Sequence, residues 1–86
     1  MAKASKIHDQ ILSGSSDANI RFVDATRLLE RLGFAVRIRG DHHIFTREGV
    51  EEILNLQPRG GMAKPYQVKQ IRNVIVRYCL GEQEDV

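Results

Sequence analysis

Apolar residues settle into a clear rhythm at Ala25, Leu28, Leu29 and Leu32, which fall at i, i+3, i+4 and i+7. That spacing lays one apolar stripe along an amphipathic helix. Asp24 is placed to cap its start by accepting a backbone N–H, Val23 and Leu28 to close a hydrophobic staple across that cap, and Gly33 to take the left-handed position after its last turn. Ile7, Ile11 and Leu12 carry the same period and stop at Ser13-Gly14, which predicts a short N-terminal helix; "GSSDANI" after it reads as a loop. Beyond Gly33 the period changes. "AVRIR" alternates, Gly40-Asp41 is a two-residue hairpin signal with glycine first, "HHIFTR" follows, and Glu48-Gly49 separates it from "VEEILNLQ". Three antiparallel strands are expected. Pro65 suits the first turn of a closing helix, where its missing N–H is not needed. On that helix Val68, Ile71, Val74, Ile75, Tyr78 and Cys79 share one face, opposite Tyr66, Lys69, Arg72, Asn73 and Arg77.

The turns fix a register. Across Gly40-Asp41, Arg39 meets His42, Ile38 meets His43, Arg37 meets Ile44 and Val36 meets Phe45, and directly opposed side chains share a face. The same rule across Glu48-Gly49 pairs His43 with Leu54, Ile44 with Ile53 and His42 with Asn55. One sheet face then carries Val36, Ile38, His43, Phe45, Leu54 and Leu56, for helices to cover. The other carries Arg37, Arg39, His42, Ile44, Thr46, Ile53 and Asn55. A one-residue slip would bury the arginines and expose the aliphatics. A glycine bulge after Glu48 would instead shift the third strand and take Asn55 out of this arrangement.

Length and composition narrow the chemistry. A chain of 86 residues supports one domain with a thin core, so a substrate is expected on a surface. The expected organisation is an N-terminal helix and loop over 1–21, a helix, three strands and a helix over 22–81, and an acidic tail over 82–86. No apolar run is long enough to span a bilayer and "MAKASKIHDQ" has no signal-peptide core, which predicts a soluble cytoplasmic protein without membrane contact. The single cysteine, Cys79, cannot form an internal disulfide and is expected to pack in the core. Neither zinc-site spacing nor a carboxylate cluster for a two-metal nuclease is present, so no metal and no cofactor is expected. The net charge of +2 conceals a sorting of charges: no acidic residue lies between Glu52 and Glu82, whereas Arg59, Lys64, Lys69, Arg72 and Arg77 do. Such a stretch suits a polyanion, and equally an ordinary solvated helix face.

His42 and His43 point to opposite sides and cannot act as an acid and base pair on one bond. His43 borders the core and needs one hydrogen-bond partner; His8 reads as a surface side chain. His42 projects with Arg37 and Arg39 from the uncovered face. It is placed either for proton transfer, since imidazole titrates near neutrality, or for gripping phosphate. "RGGMAK" reads as a flexible connection, with its glycine pair a secondary candidate for a phosphate nest. Ile44 and Ile53 form an apolar pair on the open face beside His42, and Val76 and Leu80 offer a second, weaker apolar surface.

The run "LLERLGFAVRIRGDHHIF", followed by "NLQP" and "KPYQVKQIRNVI", resembles the HicA family of toxin mRNA interferases from toxin–antitoxin systems. The resemblance implies an α+β, double-stranded-RNA-binding-like fold, with a three-stranded antiparallel sheet packed on helices on one face. It also implies ribonuclease activity that depends on one histidine and inhibition by a HicB-like antitoxin; with no carboxylate cluster present the reaction is expected to be metal-independent, and the free protein is expected to be a monomer. The family's catalytic histidine, two positions after the turn glycine, falls on His42, with Gly40 holding the turn. Arg39 and Arg37 are then candidates for stabilising transition-state charge, Asn55 for orienting the imidazole or a base, and Lys64, Lys69, Arg72 and Arg59 for holding the mRNA backbone. Asp41 stands where serine is usual, and "LQPRGGMAK" replaces a more usual histidine-proline segment. The competing readings are a non-catalytic RNA-binding module of the same fold and a pure interaction subunit.

Overall fold

In the computed structural model, which describes residues 4–81, α1 (Ala4–Ser13), α2 (Phe22–Arg31), β1 (Ala35–Arg39), β2 (His42–Arg47), β3 (Val50–Leu56) and α3 (Pro65–Tyr78) follow one another in the expected order. The acidic tail expected at 82–86 lies outside the described residues. The strands form one antiparallel sheet in the order β1-β2-β3. The fold is therefore α+β and is compatible with the double-stranded-RNA-binding-like arrangement.

The apolar stripe of α2 is buried as its spacing predicts, with Ala25, Leu28, Leu29 and Leu32 in one core with Phe45, Leu54, Leu56, Val68 and Ile71. The helix starts earlier than expected. Asp24 lies inside it, buried and with Oδ1 lacking a hydrogen-bond partner, and Val23 is exposed, so neither cap nor staple forms there. Tertiary contacts set the start instead: the Phe22 N–H donates to the Gly61 carbonyl (3.0 Å), and Arg21 makes a β-bridge with Met62. The end behaves as predicted. Gly33 takes φ 95°, its N–H donates to Glu30 and the Phe34 N–H to Leu29, the double bond of a Schellman ending.

The N-terminal helix belongs to the same core. Ile7 and Ile11 are buried, whereas Leu12 turns to solvent. Each buried isoleucine contributes about 1.5–3 kcal/mol by leaving water. His8 is more than a surface side chain, because its Nε2 donates to the Leu80 carbonyl at the far end of α3 (3.1 Å). The presumed loop after α1 holds a 3-10 turn, Asp17–Asn19, which Arg72 of α3 grips with two bonds to the Asp17 carboxylate (2.9 and 3.1 Å) and one to the Ile11 carbonyl (3.1 Å).

The first hairpin has the predicted register, Arg39↔His42 through Val36↔Phe45. The second does not: His43 faces Leu56, Ile44 faces Asn55 and Phe45 faces Leu54, although Arg47 still faces Val50 across the turn. Two extra β3 residues are therefore accommodated opposite Thr46. Because that number is even, inward and outward positions are preserved, and Asn55 stays on the His42 side. The bulged stretch is fastened to α3: Tyr78 donates to Glu52 Oε1 (2.6 Å) and accepts from the Glu51 N–H (3.2 Å), and Arg77 donates to Glu52 Oε2 (2.7 Å). Since α3 packs along β3, β1 at the opposite edge is left uncovered, and Val36 and Ile38 are exposed instead of joining the core.

Three further expectations change at the C-terminal side. "RGGM" is a tight turn, not a flexible connection: Gly60 and Gly61 both take positive φ and Arg59 and Met62 exchange both backbone bonds. Cys79 closes α3 in the left-handed conformation (φ 54°), which directs its side chain to solvent and not into the core. Leu80 folds back beside it and is buried, leaving Val76 alone on the weaker apolar surface.

Candidate active site

The site is delivered by the first hairpin. Gly40 takes φ 61°, and a Cβ there would meet nothing within 4 Å, so glycine is required for its backbone conformation and not for space. The turn sends the two histidines to opposite faces. His43 is half-buried, with its ring edge-on to Phe22 at 4.9 Å and its Nδ1 buried without the hydrogen-bond partner expected for it.

His42 is exposed on the open face, and its Nδ1 lies 3.0 Å from Asn55 Oδ1. An amide oxygen only accepts, so Nδ1 carries the proton and a neutral ring keeps its lone pair on Nε2. Asp41 Oδ1 stands 3.9 Å from that Nε2. The other Asp41 oxygen accepts from Gln57 Nε2 (2.8 Å), and Gln57 Oε1 accepts from Lys64 Nζ (3.4 Å). The Gln57 bond, with smaller contributions from His42 and Lys64, holds the Asp41 carboxyl below the usual aspartate range. Gln57 is in turn fixed from beneath. The buried Gln67 of α3 accepts from the Gln57 N–H (3.0 Å) and donates to its carbonyl (3.3 Å) when its amide is turned toward that main chain.

These side chains border a cleft of about 300 Å³ between the open sheet face and the first turns of α3, lined by His42, Ile53, Asn55, Gln57, Tyr66, Gln67 and Gln70. Beside it, sharing Ile53, runs a groove of about 370 Å³ lined by Ala35, Val36, Arg37, Ile44, Thr46 and Ile53. Among the described residues no group of three His, Cys, Asp or Glu side chains is placed to hold a metal ion.

The candidate cations separate into groups. Arg39 lies directly across the strands from His42, and Arg37 across from Ile44, both exposed. Lys64 reaches the cluster through Gln57, and Lys69 is exposed on α3. Arg59 sits on the glycine turn and does not line the cleft. Arg72 is committed to Asp17, with which it shares its charge. Residue patterns singled out neither Gln57 nor Gln70, and assigned Tyr66 only to a polar helix face. Gln67 did leave a trace, as a polar residue one turn before Ile71 on the helix side that packs inward.

Fold and cleft define a small α+β protein that presents one amide-oriented histidine on an open sheet face beside two arginines. A family model for the HicA toxin of bacterial toxin-antitoxin matches residues 23–75, more than half of the chain, and the chain belongs to that family. It is thus a toxin of a toxin–antitoxin system, of a ribonuclease type. Every residue lining the cleft falls within the matched stretch, whereas α1 and the 3-10 turn precede it. A comparison with curated proteins and one with solved structures each found no match. Among the described residues no helix is long and apolar enough to cross a membrane.

Proposed function

We propose that the protein is an mRNA endonuclease that uses His42 and the RNA's own 2′-hydroxyl, and that a HicB-like antitoxin neutralises it. The observation that carries this reading is the His42–Asn55 bond, which leaves Nε2 as the available base on an open, cation-flanked surface. In the proposed step Nε2 takes the 2′-hydroxyl proton as that oxygen attacks the adjacent phosphorus. The imidazolium so formed lies beside the Asp41 carboxylate, which stabilises it. Arg39, with Arg37 further along the strand, offsets the charge that grows on the phosphorane oxygens. No second imidazole faces this side, so the 5′ leaving oxygen takes its proton from solvent. The products are a 2′,3′-cyclic phosphate and a 5′-hydroxyl end. Lys64 and Lys69 hold the flanking backbone, and Arg72, engaged by Asp17, is left out of this role.

Neutralisation follows from the neighbouring groove. Ile53 is 65% exposed and belongs to both groove and cleft, so an antitoxin covering the Ile44–Ile53 surface also covers the approach to His42.

The test is cleavage of purified mRNA in EDTA by wild type and by His42→Ala, with folding and RNA binding measured for both. Cleavage by wild type alone, with binding retained in the variant, is the expected result. Equal cleavage by both would refute the assignment of His42, and binding without cleavage by either would favour a non-catalytic RNA-binding module.

A further inference from the structure

The cleft beside His42 is chemically unlike a phosphate site. Its lining contains no carboxylate, lysine or arginine; it offers amides, an isoleucine, an imidazole and a phenol ring. Such walls suit a flat, neutral ligand with a polar edge. Tyr66 is 58% exposed at the second position of α3, and no other ring packs on it among the described residues. Its backbone is fixed between Pro65 and the buried Gln67, so the ring is presented from a rigid helix start. The amides divide by availability. Gln57 is occupied by Asp41 and Lys64, and Gln67 faces the Gln57 main chain. Gln70 makes no hydrogen bond among the described residues, and Asn55 spends only Oδ1 on His42, which leaves its Nδ2 free.

We infer that this cleft is a nucleobase subsite: one unstacked base of single-stranded RNA lies against the Tyr66 ring, with Gln70 and the Asn55 Nδ2 hydrogen-bonding its edge. The inference deepens the ribonuclease reading and rests on it for the scissile phosphate at His42. A base has a π-face for an aromatic platform, and its exposed edge pairs donors with acceptors as a carboxamide does. Tyr66 and Gln70 are therefore specificity-determining residues, which select a single-stranded substrate and discriminate among bases, while charge alone holds the backbone.

The experiment uses 2′-O-methyl 10-mers, which lack the attacking hydroxyl, in two forms: homopolymers with bases and the same backbone with every base removed. Wild type is expected to bind at least one homopolymer about tenfold or more tightly than the abasic chain. Tyr66→Ala should reduce that advantage by between about fivefold and a hundredfold, the range of single-base stacking, while Tyr66→Phe keeps it. Gln70→Ala should narrow the spread of affinities among homopolymers. Equal binding of base-bearing and abasic chains by wild type overturns the inference, as does a Tyr66→Ala protein that keeps the advantage or loses only antitoxin affinity. Cleavage of mRNA measured in parallel separates the two ideas: cutting without any base advantage refutes the subsite alone, and a Tyr66-dependent base advantage without cutting refutes the nuclease.

Discussion

At the scale of single residues, Asn55 carries the sharpest consequence. With its oxygen on Nδ1 it fixes both the ring plane and the tautomer of His42, so Asn55→Ala should lower the cleavage rate by about 10–100-fold, a part of what a positioned base contributes. RNA affinity should fall by only about fivefold, the worth of the one base-edge bond proposed for Asn55 Nδ2, and single-turnover kinetics at saturating protein separate that loss from the loss of rate. The outward direction of His42 could be read from the sequence because a two-residue turn leaves no freedom: once Gly40-Asp41 is the turn, His42 must lie across from Arg39. The partners of Asp41 could not, since Gln57 arrives from beyond the end of β3 and Lys64 from the start of α3. No local pattern encodes that meeting.

At the scale of elements, α3 and the β3 bulge are held together by a clamp that responds to acid and to alkali. The hydrogen bond from Tyr78 holds the Glu52 carboxyl below the usual glutamate range, and the same bond pushes the Tyr78 phenol above its ordinary value. The lowered carboxyl contributes stability above its unfolded pKa, and loses it as pH falls through the folded value; the raised phenol contributes below its unfolded pKa, and loses it as pH rises. Wild type should therefore have a higher urea midpoint than Tyr78→Phe at neutral pH. The difference should shrink as pH falls beyond the usual glutamate range, through the lowered Glu52 value, and as pH rises beyond the usual tyrosine range, through the raised Tyr78 value. This clamp also marks where strand reading failed. Alternation carried the correct faces through the sheet, but the two-residue shift falls where Glu51 and Glu52 bond to α3, a contact some 26 positions away in the chain that strand periodicity does not encode. The start of α2 failed for a similar reason, since the Gly61 carbonyl supplies from afar what Asp24 was expected to supply locally.

At the scale of the whole molecule, α1 is part of the core even though it precedes the family match. Ile11→Ala should cost about 3 kcal/mol in urea unfolding, as for other fully buried large-to-small changes. A peripheral helix would lose only a few tenths. Charge sorting along the sequence was visible, but its meaning was not: Arg72 and Arg77 look like part of a basic face until Asp17 and Glu52 are seen to neutralise them. Lys69→Gln should accordingly flatten the dependence of RNA affinity on salt by about 0.7 in log–log slope. Arg72→Gln should leave that slope unchanged and lower stability. The bond between His8 and the Leu80 carbonyl brings the two ends of the described chain together. A short glycine linker could therefore join them, with the chain reopened at the Glu48-Gly49 turn. In such a circular permutant His42 would lie near one terminus and Asn55 near the other, so that cutting the linker would yield two fragments, each holding one half of the histidine–amide pair and toxic only on reassembly.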